Sequence, residues 1–432
     1  MNNNFNLAYI LKHKLVTTTF VYTNSNIIVS AIPFLLLPIL TRYLTPADYG
    51  IVATFQVILA IITIVVGLNT HGAVAVNFFQ LNEQEIKIYI GNITFIIIIS
   101  FVLTFGLISM FIKPLSHLLK FPEGWLPIIV VSALAHSISL VILTFWQVKQ
   151  KPIPYGMFQI AQMFINISLS LFFVVVLGWK WQGRLSGIII TSIIFAFISI
   201  FIIFKKKYIG FSFNKSYIKD ALFFGIPLIP HALGGWVMSG IDRIFINSMV
   251  GVATTGIYMV GYQVGMIIGL LATSFNQTWS PFLYEKLKEN NYSTKVKIVK
   301  FTYLYCIAII SLSLVLSFIA PFLLKFFVGE GFHSAYKYVL WIALGYAANG
   351  MYYMVANYIF YVKKTYLLAC ITFFSAGVNI VLNYFLIKAN GAIGAAQSAT
   401  ISFFIIFILT WILSAKVYSM PWFSFWKQNK DM

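Results

Sequence analysis

Long apolar segments separated by short polar stretches make up most of the chain between residues 16 and 414. A helix needs roughly 20 apolar residues to cross the hydrocarbon of a bilayer. The pattern therefore predicts about twelve transmembrane helices. Their expected bounds are 16–41, 49–70, 89–112, 125–147, 157–178, 187–204, 221–248, 254–275, 299–322, 336–361, 365–387 and 392–414. The second and eighth are the least apolar, because Gly, Thr and polar side chains interrupt them.

The composition supports a membrane protein and excludes an ordinary soluble domain. Hydrophobic residues make up 60% of the chain and charged residues 9%, whereas soluble domains carry about 25% charged residues. Cys306 and Cys370 both lie in apolar segments, so the sequence predicts neither a disulfide framework nor a metal site. We expect no cofactor.

The net charge of +19 is explained by the positions of the basic residues. Lys and Arg lie mostly between apolar segments, which favours membrane orientation over nucleic-acid binding. With a cytoplasmic N-terminus, roughly 20 basic residues fall on the cytoplasmic side and roughly 8 on the other. This bias predicts that both termini are cytoplasmic. An even number of helices agrees with it, because it places both termini on the same side of the membrane. The N-terminal apolar segment is too long for a signal peptide, so we expect it to be retained.

The two halves of the chain resemble each other weakly and in the same order. The matching segments are 31–35 with 225–229, 46–51 with 252–257, 148–150 with 362–364, and 166–169 with 379–382. Four matches in register predict a duplicated six-helix unit, with one lobe in residues 1–207 and the other in 208–432. Both halves enter from the same side, so we expect two pseudo-symmetric lobes around a central cleft, as in an alternating-access transporter.

Catalytic motifs are absent from the sequence. It contains no GxSxG, HExxH or CxxC motif and no phosphate-binding loop, and most of its ten acidic residues lie outside the apolar segments. We therefore predict that the protein is not an enzyme and not a self-contained ATP-driven pump.

Charges inside predicted helices are the strongest candidates for a binding site, because an unpaired charge in the bilayer costs a few kcal/mol. Asp242 and Arg243 lie in the seventh predicted helix. They are interpreted either as a cleft-facing pair that binds an anion, or as a structural ion pair or an arginine that reaches the nearby membrane surface. Arg42 follows a long uncharged segment and could line the cleft mouth with Asp48, or anchor the helix at the interface.

Several other polar residues and prolines interrupt the apolar segments. His136 and His231 could bind protons near neutral pH, or pack between helices. Asn379 and Asn383 are typical either of a wet cavity or of interhelical hydrogen bonds. Prolines are expected to break the first helix of each half; they are Pro33, Pro38, Pro227 and Pro230.

A family resemblance rests on three of these segments. Residues 37–50, which include Arg42 and Asp48, resemble the first-helix signature of bacterial polysaccharide flippases. These are the O-antigen flippases of the multidrug/oligosaccharidyl-lipid/polysaccharide exporter superfamily. Asp242-Arg243 followed by residues 256–258 resembles the helix 7–8 pattern of that family, and residues 391–396 resemble its entry to the last helix. Ser186-Gly187 departs from the fuller form of that pattern at the entry to the sixth helix.

The resemblance implies a V-shaped pair of six-helix lobes in the bacterial inner membrane. It also implies a substrate, undecaprenyl diphosphate carrying an oligosaccharide repeat, whose polyprenyl tail stays in membrane lipid. Polysaccharide polymerase machinery would be a further partner. Arg42 and Arg243 then become candidates to meet the diphosphate, because guanidinium groups match phosphate oxygens.

Two alternatives remain open from the sequence. A cation-coupled multidrug antiporter of the same superfamily usually has an acidic residue in its first lobe, where this chain has only Asp48 at the edge of a helix. A membrane enzyme such as an O-antigen polymerase or acyltransferase usually builds its site on a large loop, and no predicted loop here is longer than about 25 residues.

Overall fold

The structure is a computed structural model that describes residues 34, 36–289, 291–362, 364 and 366–422, and within these ranges it contains helices and no strand. The predicted all-α fold class is confirmed. The helices are α1 (36–43), α2 (Pro46–Gly67), α3 (Thr70–Asn77), α4 (Glu83–Met110), α5 (Ile112–Leu119), α6 (Leu126–Val148), α7 (Pro152–Leu171), α8 (Lys180–Lys205), α9 (Lys215–Gly225), α10 (Leu228–Met249), α11 (Val252–Lys288), α12 (Tyr292–Phe327), α13 (Tyr336–Tyr361), α14 (Tyr366–Asn390) and α15 (Ala392–Val417).

Eleven helical segments of the described chain are long and apolar enough to cross a membrane. They correspond to the second to twelfth predicted spans, so the expected multi-pass protein is confirmed. Most of the first predicted span, 16–41, lies outside the described residues, and its described part forms α1.

Two helices are much longer than predicted. α11 has 37 residues and α12 has 36, whereas the apolar pattern predicted 254–275 and 299–322. At 1.5 Å per residue both exceed the roughly 30 Å of bilayer hydrocarbon. Hydropathy marks only the apolar part of a helix, and the charged turns beyond it, such as the one that contains Lys286 and Lys288, remain helical.

By its internal contacts, the described chain divides into two compact units. The first comprises the residues up to Leu44 together with Ile51–Leu233. Its core is a cluster of fully buried apolar side chains on α2, α4, α6 and α8. α9 also belongs to this unit, because the Asp220 carboxylate on α9 accepts a hydrogen bond of 2.7 Å from the Tyr89 hydroxyl on α4. The lobe boundary after residue 207 stays a prediction.

The second unit comprises Thr45–Gly50 and the residues from Gly234 onward. α11 and α13 approach closely in it, because glycines at every fourth position of α11 leave room for the facing helix. A Cβ at Gly265 would lie 2.6 Å from a methyl carbon of Ile342. Asn379 and Asn383 on α14 are fully buried, and Asn379 donates to Ser402 on α15 at 3.1 Å. Asn379 therefore forms an interhelical hydrogen bond, whereas the Asn383 amide donates to Asn379 within α14.

A proline separates α9 from α10, as predicted. α9 ends at Gly225 and α10 begins at Leu228, so the helix is interrupted at Ile226 and Pro227. Proline has no N–H to donate to the preceding turn. Pro230 lies in the first turn of α10, where the missing N–H costs little.

Candidate functional site

The side chains of Asp242 and Arg243, the charged pair of α10, do not form an ion pair and contact different groups. Asp242 is 5% exposed, and one of its carboxylate oxygens accepts a 2.5 Å hydrogen bond from the hydroxyl of Tyr258, a fully buried residue of α11. Its other carboxylate oxygen accepts from the Arg243 backbone N–H at 2.8 Å. The two ion pairs among the described residues, Lys87–Glu83 and Lys286–Glu289, do not include Asp242.

Arg243 instead lies on an aromatic ring. The guanidinium carbon is 4.1 Å from the ring centre of Tyr262 on α11, which is a cation–π contact. No described residue accepts a hydrogen bond from this guanidinium, and its Nε is buried. The residue itself is half-buried. Neither a carboxylate nor a carbonyl of the described chain therefore uses the N–H donors of Arg243.

The ring under Arg243 is fixed from two sides. The Tyr262 hydroxyl donates to the backbone carbonyl of Ser239 at 3.3 Å and is hydrogen-bonded to the hydroxyl of Tyr346 on α13. Tyr346 can reach this position because α11 has a glycine beside it. A Cβ at Gly269 would lie 2.4 Å from the Tyr346 ring. The packing of α11 on α13 thus positions the aromatic support of the arginine.

A series of uncharged polar side chains continues from Tyr346 along the same face of α13. The Asn349 amide donates to the Tyr353 hydroxyl at 3.2 Å. One helical turn further, the Asn357 amide donates to Asn276 of α11 at 2.9 Å. Asn276, Asn349 and Tyr353 are half-buried. Amides and phenols of this kind both donate and accept hydrogen bonds, which suits a ligand rich in hydroxyl groups.

Asp48 and Arg42, the other charged candidates, have different surroundings in the structure. Asp48 is buried and closes the N-terminus of α2: it accepts from the Thr45 backbone N–H at 2.9 Å and from the Thr45 hydroxyl at 2.6 Å. The Asp48 backbone N–H donates in return to the Thr45 hydroxyl at 3.2 Å, so the two residues form a capping box, and a role of Asp48 in substrate binding stays a prediction. Arg42 is an exposed residue near the end of α1, and its role in substrate binding stays a prediction.

The two predicted histidines both have exposed side chains. His136 lies in the middle of α6, and His231 lies in the first turns of α10. Both lie in the first unit, whereas Arg243 and the tyrosines around it lie in the second, and a proton-binding role for either histidine stays a prediction.

The sequence did not identify the tyrosines that hold the charged pair. Tyr258, Tyr262 and Tyr346 are three of 24 tyrosines in the chain, and most membrane-protein tyrosines are expected at the lipid interface. One signal was available: Tyr258 and Tyr262 are four residues apart, so they share a face of α11. That spacing does not show which helix the face meets.

Sequence comparison relates the chain to proteins of polysaccharide biosynthesis. Residues 15–287 match the family described as polysaccharide biosynthesis protein. An uncharacterized membrane protein of Haemophilus influenzae is 27% identical over 359 residues, which is 81% of this chain and 85% of that protein. The capsular polysaccharide biosynthesis protein CapF of Staphylococcus aureus is 25% identical over 407 residues, 89% of this chain and 95% of CapF.

Solved structures share the fold at low sequence identity. The lipid II flippase MurJ in an inward closed conformation has a TM-score of 0.73 and 15% identity, over 93% of this chain and 87% of MurJ. An inward-facing multidrug resistance MATE family transporter of the MOP superfamily has a TM-score of 0.68 and 14% identity, over 95% of this chain and 96% of the transporter. The chain therefore shares its fold with MurJ and with this MATE transporter.

Proposed function

The chain belongs to the polysaccharide biosynthesis protein family, and from this premise we propose that it is a flippase for lipid-linked oligosaccharide. It moves undecaprenyl-diphosphate-linked units of O-antigen or another surface polysaccharide from the cytoplasmic to the periplasmic leaflet by alternating access. It acts in the bacterial inner membrane with both termini in the cytoplasm, and it hands its product to polysaccharide polymerase machinery.

The observation that carries this proposal is the Arg243 guanidinium. Its donors are unused by the described chain, and its charge is supported by an aromatic ring. A guanidinium in this state matches the oxygens of a diphosphate, which it can meet through two parallel hydrogen bonds. The half-buried amides and phenols of α11 and α13 give a hydroxyl-rich glycan hydrogen-bond partners close by.

A cation-coupled multidrug antiporter of the same superfamily is the second candidate, because the MATE transporter shares the fold. Such a protein needs a carboxylate that binds the coupling cation. Asp48 is committed to a helix cap and Asp242 to Tyr258. The unpaired group at the site is a cation, and a cation favours an anionic substrate over a cationic drug.

The proposal is tested in cells by removing the guanidinium. A charged hydrogen bond contributes about 1.5–3 kcal/mol, so Arg243→Ala should reduce export of surface polysaccharide roughly 10- to 100-fold. Arg243→Lys should fall between the mutant and the wild type, because it keeps the charge and loses the planar fork. The measurements are surface polysaccharide by gel and the leaflet in which lipid-linked repeat units accumulate.

Lys325→Ala is the matched control, since it removes an exposed positive charge from the same unit. It should leave export unchanged. Normal surface polysaccharide in Arg243→Ala, at the wild-type protein level, would remove Arg243 from the site. Drug sensitivity of a deletion strain with intact surface polysaccharide would favour the antiporter.

A further inference from the structure

The loop between α8 and α9, residues 206–214, has a defined conformation in the first unit. At the end of α8 the Lys207 N–H donates to the Phe204 carbonyl at 3.0 Å. The next N–H, that of Tyr208, donates to the Ile203 carbonyl at 2.9 Å, and Lys207 has a φ of 52°. These two hydrogen bonds and the left-handed residue form a Schellman motif, which ends the helix and fixes the direction in which the loop leaves it.

The α8–α9 loop is bound to the start of α4. The Gly210 N–H donates to the carbonyl of Lys87 at 2.8 Å. The Asn92 amide donates to the carbonyl of Ser212 at 2.9 Å. A Cβ at Gly91 would lie 2.1 Å from the Gly210 carbonyl oxygen, so glycine is needed for the contact. The loop therefore forms a fixed wall beside α4.

A groove of about 450 Å³ lies between this loop, the end of α8 and the start of α4. Lys87 and Lys207 contribute two ammonium groups to its lining, and Gln84 contributes an amide. The remaining lining residues are Ile88, Phe204, Ile209, Gly210 and Phe211. Because α4 and α8 are both long enough to cross a membrane, a groove at their ends lies at the level of the lipid headgroups.

The two lysines of the groove can both meet an anion. Lys207 is exposed and belongs to neither of the two ion pairs among the described residues. Lys87 lies 2.9 Å from the carboxylate of Glu83, whose side chain is 77% exposed. An exposed pair of this kind is weak, so it does not hold Lys87 away from a second anion.

Neighbouring lysines and carboxylates are directed elsewhere. The Lys149 ammonium lies 4.5 Å from the ring centre of Phe145 and does not line the groove. No carboxylate is among the lining residues. Glu85 accepts from the Asn82 backbone N–H at 2.9 Å, as part of the cap of α4. The groove itself therefore carries a positive charge.

An apolar surface continues from the positive end of the groove. Phe204 and Phe211 are 51% and 81% exposed, and their rings are stacked with centres 5.6 Å apart. Exposed aromatic side chains beside a membrane-spanning helix mark a surface that lipid covers. Two ammonium groups next to two exposed rings match a ligand that has an anionic head and apolar chains. A soluble anion would leave the rings uncovered.

We propose that this groove binds an anionic phospholipid of the phosphatidylglycerol type. The lipid phosphate lies between the ammonium groups of Lys87 and Lys207, the Gln84 amide donates to the glycerol hydroxyls, and an acyl chain lies along Phe204 and Phe211. Basic pockets between transmembrane helices hold phospholipid headgroups in this manner. The bound lipid joins the α8–α9 loop to α4 and is not transported, so the inference goes beyond the proposed function.

The first test measures lipid binding to the full chain in detergent by native mass spectrometry. Lys87→Gln/Lys207→Gln should weaken binding of the first phosphatidylglycerol roughly 10- to 30-fold, because each lysine near the membrane surface contributes about fivefold. Phosphatidylethanolamine with the same acyl chains should bind the wild type more weakly than phosphatidylglycerol does.

Lys113→Gln/Lys151→Gln is the matched control, since it removes two exposed lysines of the first unit that do not line the groove. It should leave the affinity for phosphatidylglycerol unchanged. An equal loss in both double variants would show a general effect of positive charge and overturn the site. Equal binding of the two lipids, or displacement of the lipid by an equal concentration of glycerol phosphate, would also contradict it.

The second test locates the lipid on the wild-type chain and needs no variant. Liposomes of phosphatidylethanolamine contain, as a minor component, phosphatidylglycerol with a photoreactive diazirine in one acyl chain. After irradiation, mass spectrometry of peptides should find the label concentrated around Phe204 and Phe211, and excess unlabelled phosphatidylglycerol should reduce it there. A label spread evenly over the ends of the helices would overturn the proposal. Neither test contains a transport substrate, so its outcome is independent of the proposed function.

Discussion

The ring of Tyr262 faces the guanidinium of Arg243, a half-buried group that stays charged because arginine is not deprotonated in proteins. A cation–π contact contributes about 0.5–2 kcal/mol and uses none of the N–H groups in the guanidinium plane. A carboxylate partner would have stabilised the charge more but would have occupied those donors. The hydrogen bond from Tyr258 to Asp242 keeps the nearest carboxylate committed elsewhere. The positive charge therefore stays unpaired with a carboxylate, as the proposed binding of a diphosphate requires.

Replacing the ring tests this arrangement. Tyr262→Leu should lower the initial rate of lipid-linked oligosaccharide flipping about 3- to 30-fold, because it removes the cation–π contact. Tyr262→Phe keeps the ring and removes only the hydroxyl, so its rate should stay closer to that of the wild type. The measurement is the initial flipping rate in proteoliposomes that contain equal amounts of each protein. Equal losses in the two variants would show that the hydroxyl network, rather than the ring, positions Arg243.

At this scale the sequence predicted the charges and not their partners. Asp242 and Arg243 were identified because a charge in an apolar helix is costly. Because Asp242 and Arg243 are adjacent, an ion pair between them was one interpretation. Adjacent residues of a helix, however, point in different directions. The tyrosines that bind the pair come from α11 and α13, and helix packing determines these contacts. Asp48 was likewise detected by its charge, although its partner, Thr45, lies only three residues away.

Among the helices, the first turns of α2 and α11 pack against each other through two glycines. Gly50 and Gly256 occupy matching positions of the two halves. A Cβ at Gly256 would lie 2.0 Å from the carbonyl oxygen of Pro46, and a Cβ at Gly50 would lie 1.9 Å from that of Val252. The two helix starts thus pack backbone against backbone in the second unit. Only glycine allows this approach.

A methyl group at this contact should weaken the protein. Gly256→Ala forces the first turns of α2 and α11 apart, and overpacking of this kind costs roughly 1–3 kcal/mol. We expect a lower melting temperature in detergent, measured by a thermal-shift assay. Gly377→Ala is the matched control, since a Cβ at that helical glycine meets no atom within 4 Å. An unchanged melting temperature in Gly256→Ala would contradict the close approach of the two helices.

Helix existence was predictable and helix ends were not. Apolar length located the eleven spans of the described chain because crossing the bilayer demands it. The predicted ends of α11 and α12 were wrong, because a helix can continue from the bilayer into water while its side chains change from apolar to polar. The break at Leu68 and Asn69 was missed for the opposite reason: neither residue is a glycine or a proline, so no local signal marks it.

For the whole molecule, the family match and the shared fold confirm the resemblance to polysaccharide flippases and their superfamily that the sequence indicated. The duplicated six-helix unit stays a prediction, which rests on turns and prolines that recur in the same order in each half. The boundary between units was less predictable: α9 precedes α10 in a single apolar segment, yet its contacts belong to the first unit. Hydropathy indicates whether a segment can cross the bilayer. It does not indicate which other helices that segment packs against.

The most direct test of the account is flipping of the lipid-linked glycan by the purified protein. Liposomes containing a fluorescent undecaprenyl-diphosphate-linked oligosaccharide are mixed with a membrane-impermeant lectin, and the fraction of glycan it binds is followed over time. The account predicts that the wild-type protein makes the inner-leaflet pool accessible, at a rate that rises with protein content and falls roughly 10- to 100-fold in Arg243→Ala. A rate equal to that of protein-free liposomes would contradict it.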